Sequence, residues 1–305
     1  MMLPPPTPNR PLNTPAAVPI APSLSQRPRG MGGHTRGVTT VATLAEQLAP
    51  LRDEPERSAI LLDVDGVLAP IVRHADDATV PESVRGLLIE VGRRYGVVAC
   101  VTGRRAADAR RIVSIGSIYY IGNHGGELLR PGGVRPEIDR ALEDWSLRVQ
   151  EFARDVNQAQ LSRLRVRLED KASIVAFHWR GAPDEEAAQE AVRDVAGRAE
   201  AVGLSTHWGR KVLEVRPPVR MDKGLGVRRL LRESDVSAAL YAGDDNTDLD
   251  AFATLTDMRE QGRLQAAICV GVSSEEGPDE VVERADVVLE GPGEVRRLLE
   301  ALLVD

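Results

Sequence analysis

The stretch Ala59 to Ile71, AILLDVDGVLAPI, decides the fold class of this chain. Its apolar start predicts a buried strand that ends at Asp63, with Asp65 two residues further on. A buried carboxylate is costly unless a metal ion or a cationic side chain compensates it, and side chains two residues apart on an extended chain point the same way. The pair therefore indicates a cation or substrate site at the strand end, although an ordinary Asp-Gly turn would give the same letters.

The composition is that of a globular protein with an attached tail. The 305 residues are 42% hydrophobic, which is enough for a sizeable core. Residues 1–40 hold nine of the 20 prolines, four arginines and no acidic residue, so we expect a disordered tail, or an upstream start with Met31 as the alternative. Outside that segment 35 basic residues face 46 acidic ones, a formal charge of −11, which argues against a nucleic-acid partner.

Both cysteines lie in apolar surroundings. Cys100 and Cys269 sit inside apolar runs without C-x-x-C spacing, which predicts buried, reduced thiols and a cytoplasmic location. No apolar stretch approaches the roughly 18 residues that a membrane helix needs, because Asp63 interrupts the best candidate. We therefore expect no membrane partner.

Strand-like and helix-like segments alternate along the first part of the chain. Apolar runs at Ser58–Asp63, Val97–Val101 and Ile118–Ile121 are separated by helical patterns at Pro81–Tyr95 and Arg105–Ile115. This β-α-β-α order predicts an α/β fold with a parallel sheet covered by helices.

A region of different pattern interrupts that alternation. It contains, in order, a predicted helix, two extended stretches of alternating polarity, a helix and a strand: 137–156, 163–169, 173–179, 184–202 and 211–215. Alternating polarity is typical of a sheet with one solvated face. The first pattern resumes after Pro217 and Pro218, so we predict an α/β core of residues 41–129 and 217–305 with an inserted α+β cap over 130–216.

Three short motifs accompany the predicted core strands and helices. Val101–Arg104, VTGR, ends a strand on a hydroxyl and a glycine, which suits a phosphate oxygen as well as an ordinary turn. Asp222 and Lys223 open a predicted helix. The lysine could be an ordinary surface residue of a capped helix, or a cation that neutralises a carboxylate and a phosphate. Ala242–Phe252, AGDDNTDLDAF, places four acids within seven residues, which repel one another unless a cation binds. Oxygen ligands without histidine clusters favour Mg²⁺ over zinc.

Together with the two acids after the first strand, these motifs resemble those of the haloacid dehalogenase superfamily, in kind and in order. The resemblance implies a Rossmann-like core with a C2-type cap. It implies that Asp63 attacks phosphorus to form an aspartyl-phosphate, and that Asp65 protonates the leaving oxygen and then activates water. Thr102 would bind the phosphoryl group and Lys223 would stabilise it. The implied Mg²⁺ ligands and further candidates from the acidic loop are Asp63, Asp65, Asp244, Asp245 and Asp248.

Motifs in and around the inserted region resemble the trehalose-phosphatase family. They are GNHGGE (Gly122–Glu127), LEDKASIVAFHWR (Leu168–Arg180) and GRKVLEVRPP (Gly209–Pro218). The resemblance covers nearly all of the globular part and implies hydrolysis of trehalose 6-phosphate, with cap carboxylates and an ammonium group binding sugar hydroxyls. The implied substrate-binding residues are Gly103, Arg104, His124, Gly125, Glu127, Glu169, Lys171, His178, Arg180 and Glu214.

Several alternatives stay open on the sequence alone. Glu169 and Lys171 could instead form a surface cross-strand pair, and His178 could make an ordinary contact within the cap. Arg104 could serve the phosphate, the sugar or the cap hinge. The substrate could be another sugar or glycoside phosphate, such as sucrose 6-phosphate or glucosylglycerol phosphate. Rivals of another kind are a mutase and a silent sugar-phosphate-binding subunit that regulates trehalose-6-phosphate synthase, the one partner protein that the resemblance suggests.

Overall fold

The computed structural model describes residues 41–72, 77–138, 140–156, 158–274 and 277–304, and the predicted tail, residues 1–40, lies outside them. The strands of the described residues are β1 (Ser58–Asp63), β2 (Val97–Val101), β3 (Tyr119–Gly122), β4 (Glu127–Leu129), β5 (Glu137–Ile138), β6 (Arg167–Asp170), β7 (Val175–His178), β8 (Ser205–Gly209), β9 (Val212–Arg216), β10 (Ala238–Gly243), β11 (Ala266–Ser273) and β12 (Val287–Glu290). The helices are α1 (Val41–Asp53), α2 (Glu82–Arg94), α3 (Ala106–Val113), α4 (Arg140–Asp155), α5 (Gln158–Arg163), α6 (Glu185–Ala201), α7 (Lys223–Arg232), α8 (Asp248–Glu260), α9 (Asp279–Arg284) and α10 (Val295–Leu303).

Eight strands form one sheet, here called the core sheet, in the order β12-β11-β10-β1-β2-β3-β4-β5. The pairs from β12 to β3 are parallel, and β4 and β5 extend the sheet in antiparallel fashion. The predicted α/β class with a parallel sheet is therefore confirmed. Because the chain leaves β1 towards β2 on one side and returns to β10 on the other, the carboxyl end of β1 is the topological switch point where such sheets bind ligands.

Alternate residues of β1 face two different hydrophobic cores. Ile60 and Leu62 pack in the core that contains residues of α1, α2, α3 and α10. Ala59 and Leu61 pack in the core that contains residues of α7, α8 and α9. A strand that is buried on both faces must be apolar at successive positions, which explains the uninterrupted run before Asp63.

Four antiparallel strands form a second sheet, here called the cap sheet, in the order β6-β7-β9-β8. Phe177 pairs with Leu213, and both pack in a core with Val192 of α6. The neighbouring positions Glu169 and Glu214 both pair with Ala176, so they share the opposite face of the sheet. The predicted sheet with one polar face is thus present, while the limits of the cap domain stay a prediction.

The structure differs from the predicted elements mainly within the cap. Strand β8 was not predicted, because its sequence STHWG is exposed along nearly its whole length and lacks an apolar alternation. The extended stretch expected from Arg163 begins at Arg167, since α5 occupies the preceding residues and Arg165 adopts a left-handed conformation with φ 58°. Within the described residues, every helix is too short or too polar to cross a membrane.

Candidate active site

Three functional segments meet at the carboxyl edge of the core sheet. Asp63 ends β1, Thr102 follows β2, and Asp244 follows β10. Strands β2 and β10 are the two neighbours of β1 in the sheet. The turn after Asp65 approaches the β10 loop closely at Gly66, which has φ +83°. A Cβ atom at this glycine would lie 2.0 Å from Oδ2 of Asp244, so a side chain there would push the two acidic segments apart.

Lys223 supplies a buried cation next to the end of β1. It is the first residue of α7, whose N-cap is the Asp222 carboxylate accepting from the Leu225 N–H at 2.7 Å. The ammonium donates to Oδ2 of Asp63 at 3.0 Å and to Oδ1 of Asp248 at 2.7 Å. Burial disfavours this charge, but the two carboxylates outweigh it and hold the pKa of Lys223 well above its ordinary value. The lysine is therefore a fixed positive charge at the site.

Asp248 organises the loop that follows β10. Its Oδ1 also accepts from the Tyr241 hydroxyl at 2.6 Å, and its Oδ2 accepts from the backbone N–H groups of Asp244 at 2.9 Å and Asp245 at 3.0 Å. With the lysine contact, both oxygens of this fully buried carboxylate have hydrogen-bond donors. These bonds fix the position of Asp244 opposite Asp63.

The site carries more negative charge than Lys223 neutralises. Oxygen atoms of Asp63, Asp244 and Asp248 all lie within 4.8 Å of one another. Burial, followed by the charges of Asp248 and Asp245, raises the pKa of Asp244 to about 7, and burial likewise raises that of Asp63 although Lys223 opposes it. Oδ1 of Asp244 is buried and has no hydrogen-bond partner among the described residues. A group of oxygen donors with excess negative charge and one unused oxygen fits a hard divalent cation such as Mg²⁺.

The side chains of Asp65 and Asp245 lie outside this group of three carboxylates. Arg104 binds both oxygens of Asp65, through Nε and Nη2, each at 2.6 Å. Oδ1 of Asp245 accepts from the N–H of Thr247 at 2.8 Å and from its hydroxyl at 2.6 Å. Of the five residues predicted as metal ligands, the structure therefore groups the carboxylates of three.

The polar face of the cap sheet contributes two linked pairs. Lys171 donates from Nζ to Oε1 of Glu214 at 2.9 Å, and the Arg216 guanidinium contacts the other oxygen. Burial opposes ionisation of Glu214, but these two cations outweigh it and hold its pKa well below the usual range. Glu169 and His178 are joined at 2.8 Å, and this hydrogen bond lowers the pKa of the glutamate. The alternative left open on the sequence, a cross-strand pair of Glu169 with Lys171, differs from the two pairs that the structure contains.

One cavity of about 400 Å³, here called the active-site cavity, joins the core and cap groups. Its lining residues are Asp63, Asp65, Ile71, Thr102, Gly103, Arg104, His124, Glu169, Lys171, His178, Lys223, Asp244, Asp245 and Thr247. Most of the predicted site residues are therefore brought together. Ile71 and Thr247 were not predicted, although both lie within motifs quoted from the sequence.

Glu127 was predicted to bind substrate, and the structure gives it another position. It is 1% exposed and does not line the active-site cavity. Its Oε2 accepts from the N–H of Ala106 at 2.8 Å, at the start of α3, and its Oε1 accepts from Nδ2 of Asn123 at 2.7 Å. Because both oxygens are engaged inside the protein, the carboxylate serves local structure. The sequence motif gave no indication of these partners.

Gly125, Arg180 and Glu214 also lie apart from the cavity wall. A Cβ atom at Gly125 would lie 2.3 Å from the carbonyl oxygen of Asp222, so this glycine packs against the start of α7. Arg180 is exposed, and one of its contacts is the carbonyl oxygen of Arg210 at 3.4 Å. Glu214 reaches the cavity only through its ion pair with Lys171.

His124 faces the cavity in a neutral form. Its ring lies against Gly103, where a Cβ atom would be 2.7 Å from both Cε1 and Nε2 of the imidazole. Burial lowers the pKa of His124 to about 3, so the ring stays uncharged at neutral pH. An uncharged imidazole offers one donor and one acceptor, which suits a hydroxyl group.

This fold is the one found in haloacid dehalogenase-like hydrolases. The chain is similar in structure to a haloacid dehalogenase-like hydrolase from Bacteroides thetaiotaomicron, with a TM-score of 0.56 and 16% identity over 81% of this chain and 99% of that one. It is also similar to the C-terminal domain of trehalose-6-phosphate phosphatase from C. albicans, with a TM-score of 0.68 and 21% identity over 86% of this chain and 98% of that one. At such identities these likenesses show the fold.

The sequence comparisons define the family. Residues 61–283 match the sequence profile of the trehalose-phosphatases. The chain is 30% identical to a trehalose 6-phosphate phosphatase of Zea mays over 261 residues, which cover 80% of this chain and 69% of that protein. The chain belongs to the trehalose-phosphatase family, whose members are phosphoric monoester hydrolases.

Proposed function

We propose that this protein hydrolyses trehalose 6-phosphate to trehalose and inorganic phosphate. The observation that carries the proposal is the composition of the active-site cavity, in which buried carboxylates and Lys223 lie at the core end and the polar side chains of Glu169, Lys171 and His178 lie at the cap end. Membership of the trehalose-phosphatase family supports the same substrate. A trehalose-6-phosphate synthase, which would supply that substrate, stays a predicted partner.

The core residues divide the reaction into two steps. An oxygen of Asp63 attacks phosphorus, the bond from phosphorus to the sugar oxygen breaks, and Asp65, which enters this step in its protonated form, donates its proton to that oxygen. Water then attacks the aspartyl-phosphate while Asp65 accepts its proton, which releases phosphate and restores Asp63. Thr102 and Lys223 bind the transferring phosphoryl group. Arg104 orients Asp65 through its two contacts, and one of these contacts must break for that oxygen to carry the proton.

A divalent cation is part of this proposal, with Mg²⁺ as the favoured ion. Asp63 and Asp244, together with the backbone of Asp65, would hold it, and Asp248 would position the loop. When bound, such an ion supplies positive charge that offsets the repulsion between a carboxylate and a phosphate dianion. The orphaned oxygen of Asp244 and its raised pKa support this assignment.

Groups on the cap side of the active-site cavity would select the sugar, two from the predicted cap and His124 from the loop after β3. Lys171 offers ammonium donors, Glu169 offers acceptors, and the neutral ring of His124 offers one of each. A site built from such groups discriminates strongly against ligands that leave them unpaired. Sugar selectivity is thus assigned to the cap side of the cavity, and phosphate chemistry to the core side.

Phosphate release from four substrates tests the proposal. The panel is trehalose 6-phosphate, sucrose 6-phosphate, glucose 6-phosphate and a small aryl phosphate, each with Mg²⁺ or with EDTA, beside Asp63→Asn as the inactive control. We expect a strong, EDTA-sensitive preference for trehalose 6-phosphate. Preference for another sugar phosphate would support the mechanism but refute trehalose 6-phosphate as the substrate. Absence of turnover on every substrate would favour a silent binding subunit.

A further inference from the structure

Asn123 is a buried side chain that joins the core to the cap. It is 0% exposed, and its Nδ2 donates to Oε1 of Glu127 at 2.7 Å and to the carbonyl oxygen of Lys171 at 2.8 Å. Because both neighbours are acceptors, the amide orientation is fixed with nitrogen towards them. One side chain therefore connects the loop after β3 to the turn between β6 and β7.

The backbone around Asn123 is held in a costly conformation. Asn123 has φ 46° and His124 has φ 50°, followed by Gly125 with φ 95°. Left-handed conformations of residues other than glycine are strained and persist only where the surroundings impose them. The N–H of Asn123 donates to the carbonyl oxygen of Arg104 at 2.7 Å, and Glu127 holds the side chain. These contacts orient the Asn123 amide towards the carbonyl oxygen of Lys171 in the cap.

Lys171 is thereby fixed at two points. Its carbonyl oxygen accepts from Asn123 and also from the N–H of Ser173 at 2.9 Å, while its ammonium group donates to Glu214. The intervening residue, Ala172, has φ 63°, so this turn is itself strained. Losing the Asn123 contact would remove the bond from the Lys171 carbonyl to the core and leave the backbone of Lys171 held only within its own turn, by Ser173 and Ile174.

We propose that Asn123, held by Glu127, is a positioning residue that fixes Lys171 over the active-site cavity when the cap is closed. It does not line the cavity and acts through the Lys171 backbone. This inference rests on the proposed function, because it takes Lys171 as a sugar-binding group. It assigns a role to the GNHGGE motif that is separate from substrate contact.

Asn123→Gly is the informative variant, because glycine adopts the left-handed conformation freely and removes only the amide. Ser114→Gly is its matched control, since Ser114 is an exposed residue with φ 59° at the end of α3. We expect Asn123→Gly to lower kcat/KM for the preferred sugar phosphate about three- to tenfold, through KM, and to change the aryl phosphate value less than about twofold. Equal losses on both substrates would overturn the proposal. Glu127→Gln should shift the ratio in the same direction, since it removes one of two needed acceptors.

A double-mutant cycle tests whether Asn123 acts through Lys171. In a Lys171→Met background, Asn123→Gly should cause no further loss on the sugar phosphate, whereas fully additive losses would contradict the proposed route. Hydrogen exchange supplies a readout that needs no substrate: the amides of Lys171 and Ser173 should exchange faster in Asn123→Gly, with β1 unchanged. Unchanged exchange in that turn would overturn the inference, whichever substrate the wild-type protein prefers. Faster exchange in a protein that prefers another sugar, or hydrolyses none, would keep the Asn123 contact to the cap and discard only the proposed function.

Discussion

The two sides of the active-site cavity are built in different ways. On the core side, Asp63 and Asp244 come directly from strand ends and are almost completely buried. Their positions are fixed by parallel strand pairing and by the hydrogen bonds of Asp248. Little can move there without disturbing the core sheet.

On the cap side, the polar groups come from alternate positions of short antiparallel strands and the turn between them. Glu169 and His178 are partly exposed and bind each other, and Lys171 depends on Glu214 and Asn123 for its position. Under the proposed function the comparison separates two tasks: buried charges would serve phosphoryl transfer, which is the same for every substrate, and the partly exposed polar groups would serve sugar recognition. The predictions below test that separation.

The largest expected effect follows from Asp63→Asn. The amide is not a nucleophile, so turnover of sugar and aryl phosphates should both fall by at least about 10⁴-fold. Asp248 still pairs with Lys223, so the fold should remain, which circular dichroism and thermal unfolding can check. More than about 1% residual activity in a purified, Mg²⁺-supplied sample would rule out this residue as the nucleophile.

Asp244→Asn should separate metal binding from the other core contacts. It removes one negative oxygen donor, so we expect activity to fall about 10²- to 10³-fold on every substrate. Mg²⁺ should raise the Tm of the wild-type protein and fail to raise that of the variant, because a ligand stabilises only the form that binds it. Asp250→Asn is the matched control, since its carboxylate comes from the same acidic segment, in the first turn of α8, but does not belong to the group of three. Loss of the Mg²⁺ effect in both variants would contradict the assigned site.

Lys171→Met should affect the cap side alone. The variant keeps much of the side-chain volume and removes the ammonium donors, so KM for the sugar phosphate should rise about 10- to 100-fold. The small aryl phosphate lacks the sugar, and its kcat/KM should change little. Steady-state kinetics on the two substrates measure the difference, and parallel losses would refute sugar recognition by this residue.

The same contrast explains what could be predicted from the sequence. Residues that follow an apolar strand directly, such as Asp63 and Thr102, can be placed because neighbouring parallel strands end at one edge. The ion pair of Lys171 with Glu214 depends on the pairing of β7 with β9, which no local pattern encodes. Strand β8 was missed for a related reason, because an exposed edge strand carries little hydrophobic signal.

Glu127 shows a second limit of sequence reasoning. The resemblance of the GNHGGE motif to the trehalose-phosphatase family implied that its glutamate binds substrate, yet the partners of this residue are the N–H of Ala106 and the amide of Asn123. Burial and satisfied hydrogen bonds are properties of three-dimensional packing, and the one-letter sequence does not contain them. The role of the residue became clear only when its neighbours were known.

Acid should weaken the cap through Glu214. Its pKa is depressed in the folded protein, so its ion pairs stabilise the fold fully above its ordinary pKa of 4.5, and this contribution is lost as pH falls through the folded value. At pH 7, Glu214→Gln should lower the free energy of unfolding by about 2 to 4 kcal/mol, because it leaves the Lys171 and Arg216 charges uncompensated. Urea unfolding from pH 7 to pH 3 should show this difference constant down to about pH 4.5 and shrinking below it. A difference that persists unchanged at pH 3 would contradict the assigned ion pairs.

The smallest effect is expected for Arg180→Ala, where sequence and structure disagree. The motif suggested substrate binding, but the guanidinium lies at an exposed turn outside the active-site cavity. Removing an exposed cation with no substrate contact should change KM for the sugar phosphate less than about twofold. The same measurement on Lys171→Met supplies the positive control for cap recognition. A tenfold rise in KM for Arg180→Ala would mean that the turn after β7 reaches the sugar when substrate binds. The sugar-recognition side of the cavity would then include this turn as well as Lys171.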